Sequence, residues 1–263
     1  TTYNNLIIDQ NSTKSATADL DIDGNLTIDN SATLDMSASN FNMVIDGDYT
    51  LTSGTFNSRT GTVTFSGAGA QSLNPGSSSF YNLITATNGT NVTIQADVTV
   101  TNNLTIDNNT TLDAGSNRTI TIGGNWSNSG TFTDQAGTVT FNGGGAQTVT
   151  SGGSDFYNLT TTGASTAVTL ADAMIIANDL SIASSSSLDV SGSNYSIGIK
   201  GNWSNSATFV NQAGTVTFNG SGAQTISGTN TFYDLTINNT HGSLKVSANG
   251  STLTVQDDLL VSD

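Results

Sequence analysis

The block Gly124–Thr148, GNWSNSGTFTDQAGTVTFNGGGAQT, returns almost intact as Gly201–Thr225, GNWSNSATFVNQAGTVTFNGSGAQT, and in eroded form over Gly47–Ser72. A stretch copied along one chain marks a repeat architecture, in which each unit buries its apolar face on the next. Tyr3, Tyr81, Tyr157 and Tyr233 set the period, each opening a segment of the form Y-[ND]-[NL]. From the second onward each follows a Phe, at Phe80, Phe156 and Phe232, and the spacings are 78, 76 and 76 residues. Leu-Asp pairs ending at Asp35, Asp113 and Asp189 stand 32 residues after their Tyr. The chain thus reads as one continuous domain, 1–263, made of units 3–80, 81–156 and 157–232 with a partial unit 233–263.

Within a unit the short period is two. Leu104-Thr105-Ile106, Thr119-Ile120-Thr121-Ile122 and Thr138-Val139-Thr140-Phe141 alternate apolar and polar residues, with Gly, Asn, Asp and Ser clusters between them. That is the pattern of half-buried strands joined by turns. Ala167–Ile182 looks locally helical, but its counterpart Asn91–Ile106, NVTIQADVTVTNNLTI, is plainly strand, and copies of one unit share one fold. It is assigned as strand.

A unit this long, with strands this short, suits an all-β parallel solenoid better than an array of sandwich domains, because no linker or Pro-marked boundary separates the units. Coils of roughly 19–25 residues stacked at about 4.8 Å predict about 11–13 coils and a rod on the order of 50–60 Å. Trp126 and Phe132 share strand parity with Ile120 and Ile122, which places them inside; Tyr49 and Phe56, and Trp203 and Phe209, hold the same positions in the other units. These six aromatics are the expected core plugs.

Composition then excludes several functions. Lys and Arg total five against twenty acidic residues, all of them Asp, for a net charge of −15. Binding to nucleic acid or anionic lipid needs clustered cations, which are missing. There is no Cys, hence no disulfide, and no apolar run approaches the roughly 18 residues that cross a membrane. No cofactor, nucleic acid or membrane insertion is expected.

The phrases GNWSNSGTF, GTVTFNG-x-GAQT and FYNLTI resemble repeats of bacterial secreted and cell-surface β-solenoid proteins, the filamentous-haemagglutinin-like and autotransporter-adhesin-like class. The resemblance covers essentially the whole chain. It implies a right-handed β-helix located outside the cell or at its surface, used as a stalk, adhesin or fibre. No secretion domain or cell-wall anchor is recognisable in the sequence.

Four chemical candidates were weighed against plainer readings. Asp19, Asp21 and Asp23 match the opening of a calcium loop, but Asn30 stands where its closing Glu belongs, and alternate residues on a strand diverge. Polysaccharide cleavage needs paired carboxylates or a basic proton abstractor; the single His, His241, and Lys14, Lys200 and Lys245 occupy non-equivalent positions. Thr-x-Thr pairs at Thr62/Thr64, Thr99/Thr101, Thr119/Thr121, Thr138/Thr140 and Thr215/Thr217 could form an ice-binding face, although the best-matched pairs recur only once per unit. Sequons at Asn25, Asn88, Asn109, Asn158 and Asn238 are largely compositional, and turn Asn residues can instead stack as amide ladders.

The leading expectation is a non-catalytic structural or adhesive β-solenoid; a carbohydrate-binding or carbohydrate-degrading β-helix is second, and an ice-binding protein third. Neither end carries a polar cap, so the expected partner is a second copy stacked end to end, or a continuation of the repeats. Glycans are a candidate ligand class. The expected contacts are Tyr3, Leu6 and Ile8 on the first coil, within Tyr3–Asp9, and Leu253, Val255, Leu259 and Val261 on the last, within Ser251–Val261.

Overall fold

The computed structural model describes residues 2–86, 89–240, 244–246 and 252–262. Asn88, His241 and Ser251 lie outside them, as does the side chain of Lys245. Among the described residues there is no helix and every sheet is parallel: the fold is a β-solenoid of about 12 turns, at about 21 residues per turn. The locally helical stretch is resolved into strands Thr166–Leu170, Met174–Ile176 and Leu180–Ile182. Chain contacts group into two compact units, Thr1–Gly137 and Thr138–Asp263, with the boundary inside the second sequence repeat.

In the first unit, strands Leu20–Ile22, Met43–Ile45, Thr62–Phe65, Asn82–Thr85 and Leu104–Ile106 lie side by side in one sheet. A second sheet holds Leu6–Ile8, Leu26–Ile28, Tyr49–Leu51, Gly69–Asn74 and Thr90–Ile94, among others. Register is set by like packing on like. Leu20 sits beside Met43, Met43 beside Val63, Val63 beside Leu83 and Leu83 beside Leu104, all buried. A slip of one residue would turn this whole column outward, so the alternation itself pins the pairing.

The second unit repeats the device. Thr138–Phe141, Asn158–Thr161, Leu180–Ile182 and Trp203–Asn205 form one sheet, and Met174–Ile176, Ile197–Ile199, Thr215–Phe218, Asp234–Ile237 and Leu259–Val261 form another. Met174, Ile197, Val216 and Leu235 make one of its buried columns.

Aromatic clusters fill each interior. Tyr49 meets Phe56 and Phe80 edge-on at 5.9 and 5.5 Å between ring centres, and Trp126 meets Phe132 at 4.8 Å. Trp203 touches Phe209 at 4.8 Å and Phe232 at 5.1 Å. Five of these six expected plugs are buried, whereas Phe209 is only half-buried.

The surface explains the scarcity of long charged side chains. Short Asn and Asp side chains at the turns accept a backbone N–H from the following coil. Asn5 Oδ1 accepts Asn25 N–H at 2.8 Å, Asn25 Oδ1 accepts Asp48 N–H at 2.8 Å, and Asp48 Oδ1 accepts Ser72 N–H at 2.7 Å. Asn82 and Asn102, and Asn158 and Asn178, link their side-chain amides at 2.8 Å. Glu would overreach such a contact. Several turn positions also take positive φ, among them Asn40, Asn109 and Asn194, a conformation Asn tolerates better than most residues.

Candidate functional site

The three in-phase Leu-Asp pairs do one local job. Asp35, Asp113 and Asp189 each accept the N–H two residues on, from Ser37, Gly115 and Ser191, at 2.8–2.9 Å. Each also accepts from one side chain on the following coil: Arg59 in the first repeat, Gln135 in the second and Gln212 in the third. Those three partners share positive φ of 55°, 49° and 44°. Arg59 reaches Asp35 through two parallel bonds of 2.8 and 2.6 Å. This guanidinium holds the Asp35 carboxyl below its ordinary range, outweighing the opposing effect of partial burial.

The glutamine of GAQ[ST] is a feature that the sequence reading passed over. Gln71, Gln147 and Gln224 are buried. Gln71 Nε2 donates to the carbonyls of Ile45 and Gly47 at 3.1 and 2.7 Å, and Gln224 Nε2 to those of Ile199 and Gly201 at 3.0 and 2.7 Å. One side chain thereby reaches two backbone acceptors of the coil before it: Ile45 and Ile199 also accept the N–H of Ser66 and Asn219, whereas the Gly47 and Gly201 carbonyls are met by the glutamine. The signal was present: each Gln shares parity with an inward residue two positions on, Leu73, Val149 and Ile226.

Asp19, Asp21 and Asp23 are exposed and point away from the buried Leu20 and Ile22. Asp19 Oδ1 accepts Asn42 N–H at 2.8 Å, and Asp21 accepts the Thr2 hydroxyl at 3.2 Å. No group of three metal-ligating side chains converges among the described residues. Of the Thr-x-Thr pairs, Thr99 stands in register with Thr121. Thr62 and Thr64 lie beside Asn82 and Ile84, and Thr215 and Thr217 beside Asp234 and Thr236.

At the first coil, Tyr3 is exposed and Leu6 half-buried, while Ile8 is covered within the unit. At the last, Leu253 and Val255 are half-buried. Leu259 and Val261 stand in register with Leu235 and Ile237, in interior-facing positions, yet are 57 % and 61 % exposed.

A concavity of about 440 Å³ opens on the second unit. Its floor is the outer side of strands Met174–Ile176, Ile197–Ile199 and Thr215–Phe218, and its wall is the turn Ser151–Asp155. Ile175, Gly198 and Thr217 stand in register on successive coils, and Gly198 leaves a notch between the other two. The wall is clamped by Asp172, which accepts Ser151 N–H, the Ser151 hydroxyl and Gly152 N–H at 2.7, 3.0 and 2.7 Å. Asp155 at the rim pairs with Lys200 at 3.2 Å. No inserted loop was needed to build it.

Among the described residues no helix is long and apolar enough to cross a membrane. Compared with protein-family models, with curated proteins and with solved structures, the chain matches none.

Proposed function

We propose that this chain is a structural and adhesive β-solenoid without enzymatic activity, serving outside the cell as a filament or as part of a long surface fibre. One observation carries the reading: the residues that recur with the repeat are spent on holding coil to coil. The inward columns, the turn Asn and Asp ladders, the Asp35-type clamps and the Gln71- and Gln224-type braces all join one coil to the next. An array of nearest-neighbour contacts of this kind is extensible by adding coils, and its stiffness does not depend on its ends. The resemblance to filamentous-haemagglutinin-like and autotransporter-adhesin-like repeats favours the surface location.

Assembly adds the end contacts. Among the described residues no layer covers Leu259 and Val261, which stand in interior-facing positions, and burying them on another coil would recover about 25 cal/mol per Å². The proposed contact on the first coil is Tyr3, which is exposed, with the half-buried Leu6 beside it. Electron microscopy of the native material should show thin fibres, and sedimentation of the purified chain should show concentration-dependent association that Val261→Asp weakens. A chain that stays monomeric at high concentration, from material without fibres, rejects the reading.

A further inference from the structure

The groove on the second unit is lined by residues of the second and third repeats that differ from their counterparts one repeat earlier. Aligned on Phe80 and Phe156, Asp155 replaces Ser79, Asp172 replaces Ala96 and Ile175 replaces Thr99; aligned on Trp126 and Trp203, Gly198 replaces Thr121 and Lys200 replaces Gly123. These five changes fall at scattered sequence positions, yet about 21 residues per turn brings them to one patch. Other positions of these coils differ as well, Asp97 against Ala173 and Asn103 against Asp179 among them, so the case for a site rests on the chemistry that these five bring to one concavity.

We infer that this groove binds a neutral saccharide of one or two rings, a ligand class that rests on the adhesive half of the proposed role. Its volume of about 440 Å³ lies in the range of small-molecule sites. Its lining is divided as a sugar requires. Ile175, 41 % exposed, and the bare backbone of Gly198 present an apolar ledge to the C–H face of a pyranose ring. Around that ledge stand the side chains of Ser196, Thr217 and Asn219, which make no hydrogen bond among the described residues and can meet hydroxyls.

Charge selects against other occupants. Lys200 neutralises Asp155 at the rim, so neither an anion nor a cation meets an unpaired opposite charge there. The chain's net charge of −15 further disfavours an acidic sugar. A wholly apolar ligand would strip water from the Thr217 and Asn219 groups without replacing its hydrogen bonds. The Asp172 clamp fixes the wall beforehand, which lowers the ordering needed on binding.

The test is a titration of the full chain, labelled with ¹⁵N, with cellobiose, lactose and N,N′-diacetylchitobiose, with galacturonate as the charged control. At about 20 mM, above the millimolar affinity expected of small neutral ligands, at least one neutral sugar should shift the amides of Ile175, Gly198, Thr217 and Asn219. Gly198→Thr, which restores the residue of the second repeat, should weaken binding about tenfold or more by filling the notch. The added Cβ meets Ile175 Cγ1 at 3.7 Å and Asn219 Nδ2 at 3.9 Å, ordinary contacts, so the fold should survive and its spectrum should say so. The inference is overturned if no neutral sugar shifts these amides, if the shifts lie elsewhere, if Gly198→Thr binds as well as the parent, or if galacturonate binds as tightly. End-to-end assembly is read separately by sedimentation, so the failure of one reading is distinguishable from the failure of the other.

Discussion

Tyr49 in the first unit and Trp203 in the second hold the same place in the repeat, yet their polar atoms fare differently. Both rings are fully buried. The Trp203 indole N–H donates to Asn230 Oδ1 at 2.6 Å, and Asn230 is itself held by the carbonyls of Ser227 and Gly228. Among the described residues the Tyr49 hydroxyl has no partner, and burial pushes its pKa well up. The residue aligned with Asn230 is Ser78, whose hydroxyl is already accepting Phe56 N–H at 2.9 Å. The glutamine braces differ likewise: Gln224 Oε1 accepts Gly220 N–H and the Asn239 amide, whereas Gln71 Oε1 accepts from none of the described residues. A shared backbone scaffold thus does not guarantee equal polar satisfaction, which each unit settles with its own neighbouring side chains.

The largest expected effect is at the ring itself. Trp203→Ala should destabilise the second unit by about 3–5 kcal/mol, through lost burial and a residual cavity. Because contacts are nearest-neighbour, hydrogen exchange should quicken mainly in the coils adjoining Trp203. Uniform loss of protection along the whole chain would contradict that locality.

Next come the braces. Gln224→Ala strands the Gly201 carbonyl and the Gly220 N–H and takes one of two donors from the Ile199 carbonyl, at a cost of about 2–3 kcal/mol. Gln71→Ala should cost less, about 1–2 kcal/mol, because that side chain already carries an unsatisfied oxygen into the interior. Equal losses in denaturant unfolding would erase the distinction between the two units.

The aromatic polar atoms give a pair of opposite sign. Asn230→Ala should destabilise by about 1–2 kcal/mol by leaving the Trp203 N–H buried alone. Tyr49→Phe removes only an unpartnered hydroxyl and should be neutral or stabilising by up to about 1 kcal/mol. A marked loss of stability in Tyr49→Phe would mean that the hydroxyl does have a partner.

The smallest effect concerns Asp35 and Arg59, against Asp189 and Gln212 at the matching place. The Asp35 pKa is depressed in the folded chain, so its contribution is fully present above the unfolded carboxylate value, near about pH 4. It is lost as pH falls through the lower, folded value. Arg59 is 47 % exposed, so screening by solvent keeps the gain small. Arg59→Gln, which copies the third repeat, should lower stability slightly at neutral pH and match the parent in strong acid. A difference between the two that persists unchanged in strong acid would assign it to packing instead of charge.

Much of the architecture was legible in order. The phased Tyr and Leu-Asp positions marked the units, and alternation marked the strands. The aligned copy at Asn91–Ile106 corrected the helical look of Ala167–Ile182, because copies share a fold whatever their local propensity. Parity also carried the inward placement of Gln71, Gln147 and Gln224, although hydrogen bonding had to name their partners.

What the amino-acid order determined by itself was the period, the strand alternation and the inward or outward side of nearly every residue. All three are properties of neighbours along the chain, where a period of two and a copied block leave little freedom. Which outward residues meet was decided only in three dimensions. Asp172 grips Ser151 across about one coil, Arg59 grips Asp35 across another, and Ile175, Gly198 and Thr217 align into one groove. Turns differ in length from coil to coil, and a shift of a single residue changes every such pairing. Register between coils is therefore set by the summed packing of the buried columns, and the surface contacts follow from it.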